Sequence, residues 1–207
     1  MSDEKIRRRA ARFELTADNL CLDFANTLDD RPSAKPRELL ERYLDLVRFA
    51  EDAGILEAQQ VDRLFEFSET APERAQKVLV SAITLREAIH DVFWRIVKRQ
   101  KVPAAALAML NGFIQQAAQH ANLTQHNGSF VWTFEDFGDP SAMLWPIARS
   151  AAELLASEQI SLVGACSSKS CQWLFLDTSK NHGRRWCDMK LCGNRNKARR
   201  FHERKRG

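Results

Sequence analysis

Four cysteines near the carboxyl end carry the clearest chemical signal in this chain. Cys166 and Cys171 form one C-x4-C pair and Cys187 and Cys192 a second, with fifteen residues between the pairs. Two close thiol pairs joined by a short hairpin suit a tetrahedral zinc ion, whose bonds to sulfur are about 2.3 Å. Two disulfides are the competing use of the same residues, but they need an oxidising compartment. The amino-terminal stretch argues against one: Arg7, Arg8 and Arg9 are followed by Glu14, Asp18 and Asp23 and by no apolar run, so a secretory leader is not expected. A catalytic zinc is the other rival, and such sites usually keep one position open rather than closing with four thiolates. The fifth cysteine, Cys21, lies in the apolar run Leu20–Leu22 and reads as a small buried side chain.

The same region is strongly basic. From Cys166 to Gly207 there are twelve Lys and Arg against three Asp and Glu, a net charge of +9, which leaves −5 on residues 1–165 and +4 overall. An acidic body with a basic end suggests a polyanion-binding module. After Cys192 the residues NRNKARRFHERKRG suggest a helix with rows of cations beside a narrow apolar contact made by Ala198 and Phe201. Such a helix can follow a phosphate backbone, gaining affinity as counterions are released. The leading contacts are Arg195, Lys197, Arg199, Arg200 and Arg204, with Lys180, Arg184 and Arg185 behind them. Some of these cations have a competing role, since four thiolates on Zn²⁺ leave a net −2 that Lys190, Arg184 and Arg185 would offset. DNA is favoured over RNA because single-stranded RNA modules present exposed aromatics for stacking, and Trp173 and Trp186, beside cysteines, suit packing better.

These residues need a scaffold, and the rest of the chain reads as mainly helical. Leu40, Tyr43, Leu44 and Val47 recur at helical spacing, with Pro36 placed for a first turn. Val61, Leu64 and Phe65 mark a short helix. A long one is expected from Pro72 to Gln100 on the stripe Val78, Ala82, Leu85, Ile89, Val92, Phe93 and Ile96, and another from Pro103 on Ala106, Met109, Leu110, Phe113, Ile114 and Ala117. A last one is expected from Pro146, because the residue before a proline resists the helical conformation. Asn127-Gly128 is the signature of a type I′ hairpin turn, and Phe130, Trp132 and Phe134 alternate as in a half-buried strand. The fold expected is a helical body with a small β-hairpin over residues 1–160, then a four-cysteine zinc finger ending in a basic helix over 161–207. The boundary is placed near Ser157–Gly164.

The motifs match a known pattern. Cys166-x4-Cys171, WLFLDTSKN (Trp173–Asn181), RRWC (Arg184–Cys187) and CGNR (Cys192–Arg195) resemble the CGNR zinc-finger family. NLCLDFANTL (Asn19–Leu28) and LWPIARSAAELL (Leu144–Leu155) resemble the ABATE domain that precedes this finger. The resemblance covers nearly the whole chain. It implies zinc on the four cysteines, DNA contact by the basic segment and a stress-induced bacterial transcriptional regulator.

A regulator needs an input, and the body offers one candidate. Leu20, Phe24 and Leu28 would form an i, i+4, i+8 stripe with Asp23 and Asn26 among them. Buried polar groups require partners, so Asp23 and Asn26 either hold a small-molecule effector or satisfy groups of the protein itself. No Ser/His/Asp or Cys/His arrangement, phosphate-binding glycine loop or HExxH stands out, so no enzymatic activity is expected. No run of roughly eighteen apolar residues suggests a membrane span, and a cytoplasmic location is expected. Homodimerisation would suit a short reading helix. Two alternatives stand beside this reading: an RNA- or ribosome-associated binding protein, and a ligand-binding or enzymatic body for which the zinc tail is only structural.

Overall fold

The computed structural model describes residues 13–134 and 138–198. The first helix, α1 (Leu20–Ala25), starts at Asn19, whose side chain accepts the Cys21 N–H at 3.1 Å. Such caps occupy amides that have no partner within the first turn. A short ribbon, β1 (Leu28–Asp29) with β2 (Arg37–Glu38), leads to α2 (Tyr43–Asp52) and α3 (Ala58–Thr70). The longest helix, α4 (Pro72–Val97), begins with proline at its first position, where the missing N–H costs nothing. Then come α5 (Ala104–His120), the hairpin β3 (Ala121–His126) and β4 (Ser129–Phe134), and α6 (Leu144–Leu155). A 3₁₀ turn (Glu158–Leu162) enters the antiparallel pair β5 (Val163–Ala165) and β6 (Leu174–Leu176).

Helix α4 is the hub, contacting α1, α2, α3, α5 and α6 as well as β5 and β6. Its Leu79, Ala82, Leu85, Ile89, Val92 and Phe93 are buried, with Val78 and Ile96 packed at the margin. The core continues without interruption from Phe24, Phe49 and Trp145 to Trp173, Leu174, Phe175 and Leu176, and on to the four cysteines. Burying a large apolar side chain stabilises by roughly 1.5–3 kcal/mol, so the carboxyl-terminal segment and the body hold each other in place. One ion-pair network ties the β1–β2 ribbon to α4: Arg86, 2% exposed, holds Glu38 at 2.8 Å, while Arg31 and Arg86 both hold Glu87.

The mainly helical reading is confirmed, with local corrections. Pro36 opens no helix: the chain there is extended into β2, and α2 starts at Tyr43, where the Asp45 carboxylate accepts the Arg42 N–H at 2.8 Å. The Leu20, Phe24 and Leu28 stripe breaks, because α1 ends at Ala25 and Leu28 lies in β1. Helix α6 starts two residues before Pro146, which sits in the first turn, where its missing N–H again costs no helical bond. Asn127 and Gly128 have φ of 49° and 82°, as the hairpin turn requires. The hairpin is less buried than its alternation suggested, since Phe134 packs inward but Phe130 and Trp132 are exposed. Among the described residues no helix is long and apolar enough to cross a membrane.

Candidate metal centre and its basic surround

The ligating sulfurs of Cys166, Cys171, Cys187 and Cys192 all lie within 4.8 Å of one another, and all four residues are buried. Cys171 and Cys187 sulfurs are 3.8 Å apart. A tetrahedron with metal–sulfur bonds of about 2.3 Å puts its corners roughly 3.8 Å apart, so the thiols are spaced as a closed four-sulfur metal site requires. No disulfide joins any of them. With protons alone, the sulfurs compete: hydrogen bonds from Cys171 and then Cys187 hold Cys166 far below the usual thiol range, and donating to Cys166 pushes both donors up. A bound cation would displace the remaining protons, so metal loading releases protons and adds to folding stability.

The local chain is shaped around these sulfurs. At the first pair, the Cys166 N–H donates to Trp173 O at 2.8 Å, Cys171 N–H to Ser168 O at 3.1 Å, and Trp173 N–H to the Cys171 sulfur at 3.4 Å. An N–H aimed at sulfur offsets part of a thiolate's charge. At the second pair, a single π turn (Met189–Gly193) is capped by Asp188, whose carboxylate accepts the Leu191 N–H at 2.9 Å. The helical residues 194–198 follow directly. Asn196 anchors them, 4% exposed, with its side-chain amide donating to Cys192 O at 2.8 Å. The apolar contact expected from Ala198 is not made, since Ala198 is exposed and Asn196 is the inward residue. Phe201 lies outside the described residues.

This module is fastened to the body by directed hydrogen bonds. The Asn26 side chain donates to Leu174 O at 2.9 Å and accepts Leu174 N–H at 2.8 Å, acting as a strand partner for β6. Trp173 donates its ring N–H to Leu28 O, and Leu176 N–H donates to Ala17 O at 2.8 Å. Arg184 is the central tie. Its guanidinium pairs with Asp18 at 2.7 Å, donates to the carbonyls of Thr16, Cys187, Trp186 and Leu176, and lies 4.5 Å above the Phe175 ring.

The sequence-expected cations therefore separate. Lys180, Arg185, Arg195 and Lys197 are exposed, whereas Arg184 is turned inward and used up within the protein. Arg199, Arg200 and Arg204 lie outside the described residues. Lys190, expected to offset the thiolate charge, is exposed too, as is Lys169, which had not been singled out. Lys169 lines one shallow depression together with Arg195, Ser33 and Ser170. The signal for Lys169 was in the sequence, inside the C-x4-C loop, but loop length alone does not say which way a side chain points.

Asp23 and Asn26, the candidate effector contacts, face the protein itself. Asn26 is occupied by Leu174, and Asp23 accepts the Ala17 N–H at 2.9 Å. Burial pushes the Asp23 carboxyl up from its ordinary 3.8 to about 6, against backbone hydrogen bonds that lower it and with Asp18 and Arg184 as its charged neighbours. A carboxyl raised on folding contributes stability below pH 4 that is lost as pH rises through 6, and this span corresponds to roughly 3 kcal/mol. Asp23→Asn mimics the protonated form. Its stability relative to the native chain should be near zero at pH 4 and rise by about 2–3 kcal/mol at pH 7.5. Urea melts of both proteins at the two pH values check this, and a difference independent of pH would contradict it. Cys21 is fully buried, and burial pushes its thiol up, away from nucleophilic chemistry.

A larger cleft, of about 500 Å³, opens between the body and the metal module. Arg37, Glu41 and Arg48 line its body side, and Trp173, Leu191 and Arg195 its module side, with three of the cysteines at its floor. Sequence reasoning missed it because its walls come from segments more than a hundred residues apart.

Two models of known families match the chain. A family model named ABATE, described as "putative stress-induced transcription regulator", matches residues 18–158. A second model, the CGNR zinc finger, matches residues 163–205. No curated protein matches the chain.

Proposed function

We propose that this chain, which belongs to the ABATE family and ends in a CGNR zinc finger, is a DNA-binding transcriptional regulator whose zinc-held basic segment contacts the phosphate backbone. Zinc is the ion we assign to the four thiols, because a closed all-sulfur tetrahedron suits it and leaves no open position for catalysis. The chain is accordingly read as a binding protein and not as an enzyme. The observation that carries the reading is the coupling of metal and cations. The π turn that presents Cys192 runs straight into residues 194–198, so the metal orients Arg195 and Lys197. Lys169 shares a depression with Arg195, and Lys180, Arg185 and Lys190 of the same module are exposed as well. An anion meeting this surface would be held by several cations at once, as a nucleic-acid backbone requires.

The body then serves as the input. The cleft at the junction supports this reading better than Asp23 and Asn26 do, because its two walls belong to the two family segments. A molecule bound there would touch Arg195 directly and so bias how the basic segment is presented.

The test is a salt titration of duplex-DNA binding with full-length, zinc-loaded protein, beside the Arg195→Ala/Lys197→Ala variant. Truncation after the body is unsuitable, because it would strip Leu174, Phe175 and Leu176 from the core. Each phosphate contact contributes about 0.9 to the slope of log K against log salt, so the double variant should lower the slope by roughly 2. Native-like binding by that variant, with an unchanged slope, would sink the assignment. Tighter binding to structured RNA than to duplex DNA under the same conditions would move the protein to the RNA class.

A further inference from the structure

Gln172, which stands between the ligand Cys171 and Trp173, has a φ of 119°. The other described non-glycine residues with positive φ, Asp18, Asp30, Arg99, Asn127 and His182, all lie between 45° and 57°, around the ordinary left-handed well. Gln172 is far from that well, in a region glycine takes freely and a Cβ makes costly. A backbone persists there only where its surroundings over-determine it. The peptide group joining Gln172 to Trp173 is held at both edges. Its carbonyl accepts the Nε2–H of His90 at 3.3 Å, and its N–H donates to the Cys171 sulfur at 3.4 Å. A trans peptide points its C=O and N–H in opposite directions, so fixing one aims the other.

His90 reaches this peptide from the hub helix α4, 82 positions away. Its ring is 8% exposed and stacks on that of Trp94, one helical turn on, with centroids 5.7 Å apart. Burial first, and Arg31 after it, bring its pKa down to about 4, against the opposing pull of Glu87 and Asp91. At neutral pH it is therefore an uncharged imidazole with a single N–H, and a carbonyl can only accept one.

We propose that His90 is a positioning residue for the metal centre: through the Gln172–Trp173 peptide it keeps an N–H on the Cys171 sulfur and so couples helix α4 to the bound ion. The imidazole N–H polarises the carbonyl, which makes the N–H at the other edge a stronger donor. That N–H in turn offsets part of the thiolate's charge. Without the imidazole, the Gln172 backbone can relax from its costly conformation, and the rotating peptide takes its N–H off the sulfur. His90 thus supports the first cysteine pair as Arg184 supports the second. The inference concerns the ion alone and does not depend on what the module binds.

Zinc affinity of the full-length protein, measured by competition with a chelator and paired with thermal melts, tests it in three variants. His90→Phe keeps a flat ring against Trp94 and removes the donor. It should lower zinc affinity about 10-fold, the scale on which outer contacts to a metal site act. Gln172→Gly adopts the same φ without a Cβ and should stay within about 2-fold of the native affinity. The double variant His90→Phe/Gln172→Gly should recover most of the loss, because glycine holds the peptide in place without strain. A histidine that only packed would change the melting temperature and leave zinc affinity alone, and that result overturns the proposal. So does a loss that Gln172→Gly fails to recover, or one that Gln172→Gly causes by itself. Nitrogen NMR of the native zinc-loaded protein is a check that needs no variant. His90 should be the Nε2–H tautomer, and an Nδ1–H tautomer overturns the proposal as well.

Discussion

Cys187→Ser is expected to empty the metal centre and to lower the melting temperature of the entire chain, not only to loosen its end. Cys187 is the most buried of the four ligands, 1% exposed, with its sulfur 3.8 Å from that of Cys171. A serine hydroxyl is a poor zinc ligand, and three thiols without the fourth leave the site open. The metal's binding free energy is lost from the folded state. Trp173, Leu174, Phe175 and Leu176 lie between the ligands and belong to the same buried cluster as Phe24 and Trp145, so loosening the module exposes core surface. We expect a loss of about 3–5 kcal/mol, which in a chain of this size lowers the melting temperature by roughly 10 °C. The far-UV signal at 25 °C should change little, because its main contributors, α2 to α6, lie in the body. Thermal melts paired with metal analysis check the expectation. A variant that keeps a full metal equivalent, or melts within about 2 °C of the native chain, would falsify the four-thiol assignment.

Arg184→Met should produce the second-largest effect, and of a kind that separates two roles for one cation. If Arg184 touched phosphate, its loss would flatten the salt dependence of DNA binding by about 0.9 and leave stability alone. The structure gives it a different task. Its pairing with Asp18 is partly exposed and worth little by itself. The larger part is the set of carbonyls it gathers, including that of Cys187, a ligand residue, and that of Thr16, which precedes the body's first helix. Removing the guanidinium leaves several carbonyls short of donors, at about 2–3 kcal/mol. Groups that hold metal ligands from behind typically change affinity 10–100-fold when lost. We therefore expect weaker zinc retention against a competing chelator, lower stability, and an unchanged salt slope once zinc is saturating. Arg184→Lys should recover little, since an ammonium cannot serve donors in so many directions. A stable, zinc-tight Arg184→Met with a flattened slope would return this residue to the nucleic-acid surface.

How much of this was legible beforehand depends on the range over which each signal acts. The four-thiol metal set was readable because thiol chemistry and two equal C-x4-C spacings constrain geometry within a few residues. The helices α3 to α6 were readable for a similar reason: apolar spacing is a local property, and the Asn127-Gly128 turn needs only two residues of unusual backbone freedom. Pro36 misled because a proline suited to a first helical turn is equally suited to the entry of an extended segment.

The polar side chains show where local signals end. Asn26 stood out as a polar residue in an apolar run, and physical chemistry demanded that it find a partner. That partner is Leu174, 148 positions away, and nothing in residues 19–28 could name it. Arg184 looked identical to Arg185 in sequence, yet one is folded inward against Asp18 and Thr16 and the other faces solvent. A charge tells what a residue can bind, while burial decides whether anything outside the protein can reach it.

By itself, then, the sequence determined the ligand set, the helical character of the body and the basic character of its end, because those follow from residue type and spacing over one or two turns. Tertiary structure alone decided that the metal module shares the body's core, which of the described cations are exposed, where a cleft opens, and that Phe130 and Trp132 of the hairpin stay exposed. Each of those depends on which distant surfaces meet, and packing free energy, summed over many contacts, is a property of the assembled chain rather than of any segment within it.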